Sequence, residues 1–520
     1  MTLATIDLLE VAVYGVAIFT LAQLVSRDKT GQAKDSTGYF LAGKALPWWA
    51  IGASLIAANI SAEQIIGMSG SGYAIGLAIG AYEWMGGLTL LLVGKFFVPI
   101  FLRNNVYTMP QFLEQRYGPS VRLLMAVFWL GVYVLVNLTS ILWLGSIAIH
   151  AVAGVDQSTA MIAIGLFALA YQLYGGLRAV ALTDIVQVTL LVAGGLAIVV
   201  IALQRISGGD GVWLGLRLLA AQYPDKFHLI LRPDNPHYGE LPGISVLLGG
   251  MWVMNLSYWG FNQYIIQRAL AAKDLAEAQT GIAFAAYLKL LMPVIVVLPG
   301  VAALVLVPGL SRPDQAYPEI MRLLPPGILG LVFAALIAAI IASLASKINS
   351  IATIFTLDVY AHIRRGCSER HLVLVGRLAA VFAMGVGIVA APPLLGGFDQ
   401  AFQFIQEFTG FFTPGIAVIF LLGMFWRRAT TASAITAGIG SAVLSLAGKI
   451  WVPRMPFLDR VGLVFLIIAA MAILVSWRWP DRRVVSVVRF DGVSYRTGTG
   501  FNIAALGVVV ILVALYTSLW

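Results

Sequence analysis

Fourteen apolar stretches constrain this chain more than any other feature. A helix needs about 20 apolar residues to cross a bilayer. Stretches of that order lie near residues 5–25, 48–70, 78–101, 121–151, 158–175, 181–204, 244–267, 280–307, 327–361, 372–394, 399–425, 430–449, 458–476 and 499–519. In lipid every backbone N–H and C=O must be satisfied inside the protein, so the pattern predicts an all-α polytopic membrane protein with 14 transmembrane helices. Composition agrees: of 520 residues 60% are hydrophobic and 11% charged. The stretches 121–151 and 327–361 exceed the bilayer, which predicts tilt or a kink. Residues 5–26 follow no basic lead and no small-residue cleavage site, and read as a retained span rather than a signal peptide. The chain 1–520 reads as a single transmembrane domain with no soluble module.

Where the charges fall explains the net charge of +9. Loops after the odd-numbered stretches hold 21 of the 33 Lys and Arg, the alternate loops hold 9, and Lys95, Lys289 and Lys347 lie inside stretches. By the positive-inside rule the first set is cytoplasmic and both termini lie outside. One missed span would reverse every later loop, so the alternation supports the count. The basic balance therefore reports topology, not a nucleic-acid partner. The longest outside connection, 205–243, predicts a short surface helix and a turn at Pro233-Asp234-Asn235-Pro236. Cys367 is the single cysteine, which excludes an internal disulfide and a Cys-rich metal site.

Two stretches break the apolar rule. Asn59, Ser61, Glu63, Gln64, Ser69 and Ser71 crowd the second half of the second stretch, with Gly67, Gly70 and Gly72 among them. Such residues should face a cavity or other helices, and the glycines weaken a continuous helix. An interrupted helix lining a solute site and a tight polar helix seam both fit. The seventh stretch carries a second interruption at Asn255-Leu256-Ser257-Tyr258-Trp259-Gly260-Phe261-Asn262-Gln263. Two discontinuous helices five spans apart are what an inverted repeat of five produces, with a solute site between the breaks.

An ionisable group at membrane depth is costly and points to function. Glu63, Glu83, Asp184, Lys289 and Glu407 qualify. Glu63 and Asp184 could instead pair with a neighbouring backbone group or an arginine, and Glu83 could be an interface residue beside Trp84. Lys289 lies about ten residues into its stretch, near the midplane by helical rise; snorkelling is its alternative. Lys347, one turn past Ser343 in a cytoplasmic half, is read as snorkelling.

The string Gly52-Ala53-Ser54-Leu55-Ile56-Ala57-Ala58-Asn59-Ile60-Ser61-Ala62-Glu63-Gln64, then Gly67 to Tyr73, then Tyr258 to Arg268, resembles the sodium/solute symporter family, and most its bacterial sodium/galactose (sodium/glucose-type) cotransporters. The likeness runs nearly end to end. It implies a leucine-transporter-like fold of fourteen helices, with inverted repeats at 48–204 and 244–425 and peripheral helices at 5–25 and 430–519. It implies a sugar site of Gln64, Glu83, Asn255, Lys289 and Gln406, with Asn59 and Ser346 close by. Tyr258 would be the inner gate, stacked on the sugar, and Met68, Tyr82 and Phe402 the outer gate. A sodium ion would be held by carbonyls of Ala57, Ile60 and Ala339 and by hydroxyls at 342 and 343. The chain departs from that pattern twice. Ala342 precedes Ser343 where two adjacent hydroxyls are expected, and Gly86 stands where a serine is expected. Asp184 matches a carboxylate on the ion's exit path.

The function expected from the resemblance is inward sodium-coupled symport of a neutral sugar, galactose or glucose, by alternating access in a bacterial inner membrane. Carriage of sialic acid, proline or another polyol, coupled to sodium or protons, is the alternative. A hexose rim of hydroxyls suits amides and a carboxylate, and its ring face suits an aromatic. An enzyme is not supported. His150, His228, His237, His362 and His371 fall at span ends or in loops. Gly38 to Lys44 mimics a phosphate loop, but Ala45 stands where Ser or Thr must bind magnesium. The partners expected are a small sugar and the lipid bilayer, with no nucleic acid; homo-oligomerisation is left open.

Overall fold

The computed structural model of the protein describes residues 3–26, 46–106, 108–174, 177–364, 366–398, 400–480, 488–489 and 491–520. The phosphate-loop mimic and the basic loop Arg27, Lys29, Lys34 and Lys44 lie outside the described residues, as do Arg482 and Arg483. Within 177–185, which includes Asp184, the helical backbone alone is described. Regular structure among the described residues is helical, apart from an isolated bridge between Leu46 and Ala272.

Nine described helices are long and apolar enough to cross a bilayer, and two bent pairs raise the number to eleven. Thr5–Ser26, Gln157–Tyr174 and the broken stretch from Ser245–Leu248 to Gln263–Leu270 are helical as well. The outward faces carry Phe382, Val389, Leu466, Leu474, Leu506 and Val510, all exposed. Leucine, valine and phenylalanine on an outer helix face are what hydrocarbon requires. The chain is thus a multi-pass membrane protein. The two longest continuous runs, Pro119–Ala153 and Ile328–Ile363, each contain a wider π-helical segment, at Tyr133–Leu138 and Ile354–Tyr360. Such segments shift the side-chain register locally.

Both polar interruptions are real breaks. Trp48–Asn59 ends at Ile60, whose backbone is extended (φ −69°, ψ 114°), and Glu63–Ala74 leaves at 66° to it. The Ser61 hydroxyl accepts the Glu63 N–H at 3.2 Å and so caps the second half. In the other stretch Asn262 is extended (φ −78°, ψ 123°) between Ser257–Phe261 and Gln263–Leu270. The glycines do not cause the first break, contrary to the expectation: Gly67, Gly70 and Gly72 all lie in the helical half. A third bend, of 49°, separates Ala401–Gly410 from Thr413–Phe425, inside the stretch read from sequence as one span at 399–425.

The glycines serve close packing instead. A Cβ on Gly72 would lie 2.6 Å from the Val297 carbonyl oxygen. One on Gly52 would lie 2.7 Å from the Gly281 carbonyl oxygen, and one on Gly281 2.7 Å from that of Trp48. Small residues on both sides let the first broken helix cross Leu275–Leu306 backbone to backbone. That crossing fixes the depth of Lys289, which projects from the middle of Leu275–Leu306 toward the break. The 205–243 connection forms the expected surface helix, Val212–Gln222, and then a turn at Pro224–Phe227. From that turn the Lys226 ammonium donates to the Ala74 carbonyl at the end of the broken helix.

Candidate functional site

Two cavities flank the first break. The first has a volume of about 110 Å³. Its polar wall is Asn59 from the end of one half-helix, Gln64 from the start of the other, Glu83, Asn255 and Gln406. Its aromatic wall includes Tyr82, Tyr258, Trp259 and Phe402. Tyr82 and Phe402 meet edge to face at 5.2 Å. The Tyr258 hydroxyl oxygen accepts from Asn59 Nδ2 at 3.0 Å and from the Tyr264 hydroxyl at 2.9 Å. Helix ends, amides and rings therefore converge where the backbone is broken, with Asn59 and Gln64 contributed from its two sides.

Lys289 stands behind this wall. It is 1% exposed and does not line the cavity. Its ammonium donates to both Glu83 Oε2 and Asn59 Oδ1 and lies 4.7 Å from the Trp259 ring centre. A buried cation without a partner is prohibitive, so the lysine is tied to Glu83 and Asn59 and fixes both acceptors in place. Met68 is fully buried and also lies off the cavity surface. Gly86 has a spatial reason. A Cβ there would lie 2.9 Å from Trp259 Nε1 and 3.2 Å from Asn255 Oδ1, so these two groups occupy the room a serine would need.

The second cavity is small, about 20 Å³. One water needs roughly 10–15 Å³ by the same measure, so it holds a single particle of that size. Ala57, Ile60, Ala339, Ala342 and Ser343 all line it. A helix that stops at Asn59 leaves its last carbonyls, Ala57 among them, without their usual donors, and Ile60 lies just beyond its end, so backbone oxygens are available beside this cavity. Hard cations take such oxygens. Ser343 adds a hydroxyl and Ala342 adds none. Ser346, expected beside the sugar, lines this cavity and not the first. It sits one turn beyond Ala342 on the same helix, and residues i and i+4 share a face. The helix carrying Asp184 borders the cavity through Gln187, Val188 and Leu191.

Lys347 corrects a second expectation. It does not snorkel: it is 3% exposed, lines the second cavity and lies 3.9 Å from Glu63 Oε2. Glu63 also accepts from Ser140 Oγ and, at 3.2 Å, from Asn137 Nδ2. Nothing in the local sequence around Lys347 announces that partner. Trp259 was legible as part of the polar string, whereas Trp129, which also lines the first cavity, sits in an ordinary apolar run.

Residues 39–440 match the sequence model of the sodium:solute symporter family. The chain belongs to that family. It is therefore a membrane transporter rather than an enzyme, with sodium as its coupling ion. The symporter is 47% identical to a sodium/glucose cotransporter of Vibrio parahaemolyticus, with 100% of this chain and 99% of that protein aligned. It is 34% identical to the human sodium/myo-inositol cotransporter 2, over 83% of this chain and 68% of the relative. In fold it resembles a Na+-coupled sialic acid symporter in a substrate-bound outward-open state (TM-score 0.78, 21% identity, 92% of this chain and 99% of that one). It resembles less closely a nucleobase-cation-symport-1 family transporter (TM-score 0.54, 14% identity, 87% and 98%).

Proposed function

We propose that this symporter takes up a neutral sugar, galactose or glucose, with sodium moving inward. The observation that carries the reading is the first cavity. Its polar lining is amides, hydroxyls and one carboxylate, and no lysine or arginine faces it among the described residues. The nearest cation, Lys289, is committed to Glu83 and Asn59. A carboxylate substrate such as sialic acid would find no counter-charge there, whereas sugar hydroxyls both donate and accept. The named substrates of the two relatives, glucose and myo-inositol, are neutral polyols and support the same choice.

In this reading Gln64, Glu83, Asn255 and Gln406 bind the sugar rim, and Lys289 orients Glu83 and Asn59. Tyr82 and Phe402, backed by Met68, close the outer side. Tyr258 closes the inner side, locked by Asn59 and Tyr264. Sodium sits in the second cavity on Ala57, Ile60, Ala339 and Ser343, and leaves past Asp184. One helix break serves both ligands, so ion binding biases the half-helix that also carries Gln64. The fourteen helical stretches are taken as fourteen crossings with both termini outside a bacterial inner membrane. Repeats at 48–204 and 244–425 then form the core, with 5–25 and 430–519 peripheral. The membrane potential contributes ~2.3 kcal/mol per charge per 100 mV to accumulation.

Uptake into proteoliposomes tests this. Labelled galactose or glucose should accumulate under an imposed sodium gradient and not under choline. Unlabelled sialic acid and proline should compete poorly. Equal uptake in sodium and choline would sink the coupling, and stronger competition by sialic acid than by galactose would sink the sugar.

A further inference from the structure

Lys347 has no part in the transport cycle described so far, yet it borders the ion cavity. Its ammonium donates to the Ser343 hydroxyl at 3.4 Å, lies 3.9 Å from Glu63 Oε2 and stands 5.1 Å over the centre of the Tyr264 ring. Ser343 is the remaining hydroxyl of the expected adjacent pair at this cavity, which Ser346 also lines. The ammonium thus takes up a lone pair that a metal ion would use, and puts a fixed positive charge on the wall of a cavity with room for one small particle. Glu63 offsets that charge from a distance and without a direct hydrogen bond: its Oε1 accepts from Ser140 and Asn137, and its Oε2, the oxygen nearer the ammonium, accepts from Ser61.

We propose that Lys347 is a tethered cation that sets the sodium affinity of the second cavity. Sodium binds as the ammonium gives up Ser343 and settles on Glu63. The same shift moves the charge relative to Tyr264, whose hydroxyl donates to Tyr258. Ion occupancy then reaches the inner gate through one side chain. The inference rests on the placing of sodium in this cavity.

The test is direct binding of radioactive sodium-22 to the purified full-length transporter in lipid nanodiscs, without sugar, by scintillation proximity. Like charges a few ångströms apart repel strongly at interior dielectrics, so K347M should tighten the sodium Kd by about tenfold or more. K347R, which keeps the charge, should stay within about twofold of the parent. An unchanged Kd in K347M, or a Kd tightened equally by K347R, overturns the proposal. If K347M fails to fold because Glu63 loses its partner, E63Q and the double variant E63Q/K347M decide the matter. The double variant should bind sodium more tightly than E63Q alone, and equality overturns the proposal. Ala342→Ser and Ser343→Ala separate the two levels. If neither moves the Kd, the ion lies elsewhere and the site reading falls, taking this inference with it. If they move it and K347M does not, only the role of Lys347 is lost.

Discussion

The molecule buries two lysine–carboxylate pairs beside the same helix break, and they are built differently. Lys289 and Glu83 are in direct contact, backed by Asn59 and Trp259, and the lysine is withdrawn from the cavity it supports. Lys347 and Glu63 are 3.9 Å apart, and the lysine faces the cavity it borders. In the first pair the ammonium is kept inside the wall, so among the described residues no lysine or arginine faces that cavity. In the second the charge is offered to whatever enters. A buried cation can therefore build a site or bias it, and direct contact with its counter-ion decides which.

The largest effect that can break this comparison is on stability. Removing one partner of a buried, bonded pair costs ~3–5 kcal/mol. Lys289→Met should lose that much in thermal unfolding and abolish sugar uptake. Lys347→Met should lose less, ~1–3 kcal/mol, because Glu63 keeps the donors Ser140 and Asn137. Equal losses in the two variants would erase the distinction.

Gly86→Ser sharpens the description of the first wall. Its new atoms meet Trp259 Nε1 and Asn255 Oδ1, and overpacking of this kind costs ~1–3 kcal/mol. Sugar affinity should weaken while sodium binding in the second cavity stays as it was. Tighter sugar binding would mean that the serine fits and that the two side chains move aside freely.

Tyr258→Phe removes the acceptor that Asn59 and Tyr264 share. A net hydrogen bond contributes ~1 kcal/mol, or roughly fivefold in an equilibrium. Efflux of preloaded sugar should quicken by about that factor. Unaltered efflux would take Tyr258 out of the inner closure.

Lys226, in the 205–243 connection, is the smallest test and lies outside the spans. Burial pushes its ammonium below the ordinary value of 10.5. The undocked loop then binds the proton more tightly than the docked one. Docking on the Ala74 carbonyl strengthens as pH rises through the interval ending at 10.5, and is weakest below it. Proteolysis of the loop, taken as a ratio to K226M, should slow as the pH is raised toward 10.5. A flat ratio would show that the docked ammonium carries no such penalty.

Membrane class, two broken helices and family were legible in the chain because each is a local pattern. Asn59, Ser61 and Gln64 are out of place in any apolar run of about 20 residues. The cause of the break was less legible. The glycines looked like its source, but their role is the crossing with Leu275–Leu306, which depends on a neighbour some 200 residues away; Lys289 and Glu83, brought together there, are 206 residues apart. Ser346 went to the second cavity because it shares a helix face with Ala342. Lys347 misled for a related reason. Its depth along one helix can be read from spacing, but whether it turns to solvent or to Glu63 depends on the helix facing it.

By itself the sequence determined what must lie in lipid, which two polar stretches were candidates for a broken helix and which family the chain resembles, since hydrophobic length and polar interruptions act within a single span. Only the tertiary structure decided which lysine meets which carboxylate and which of the two then faces a cavity. Burying a charge is tolerable only with a partner in reach, and that reach is set by how the helices cross.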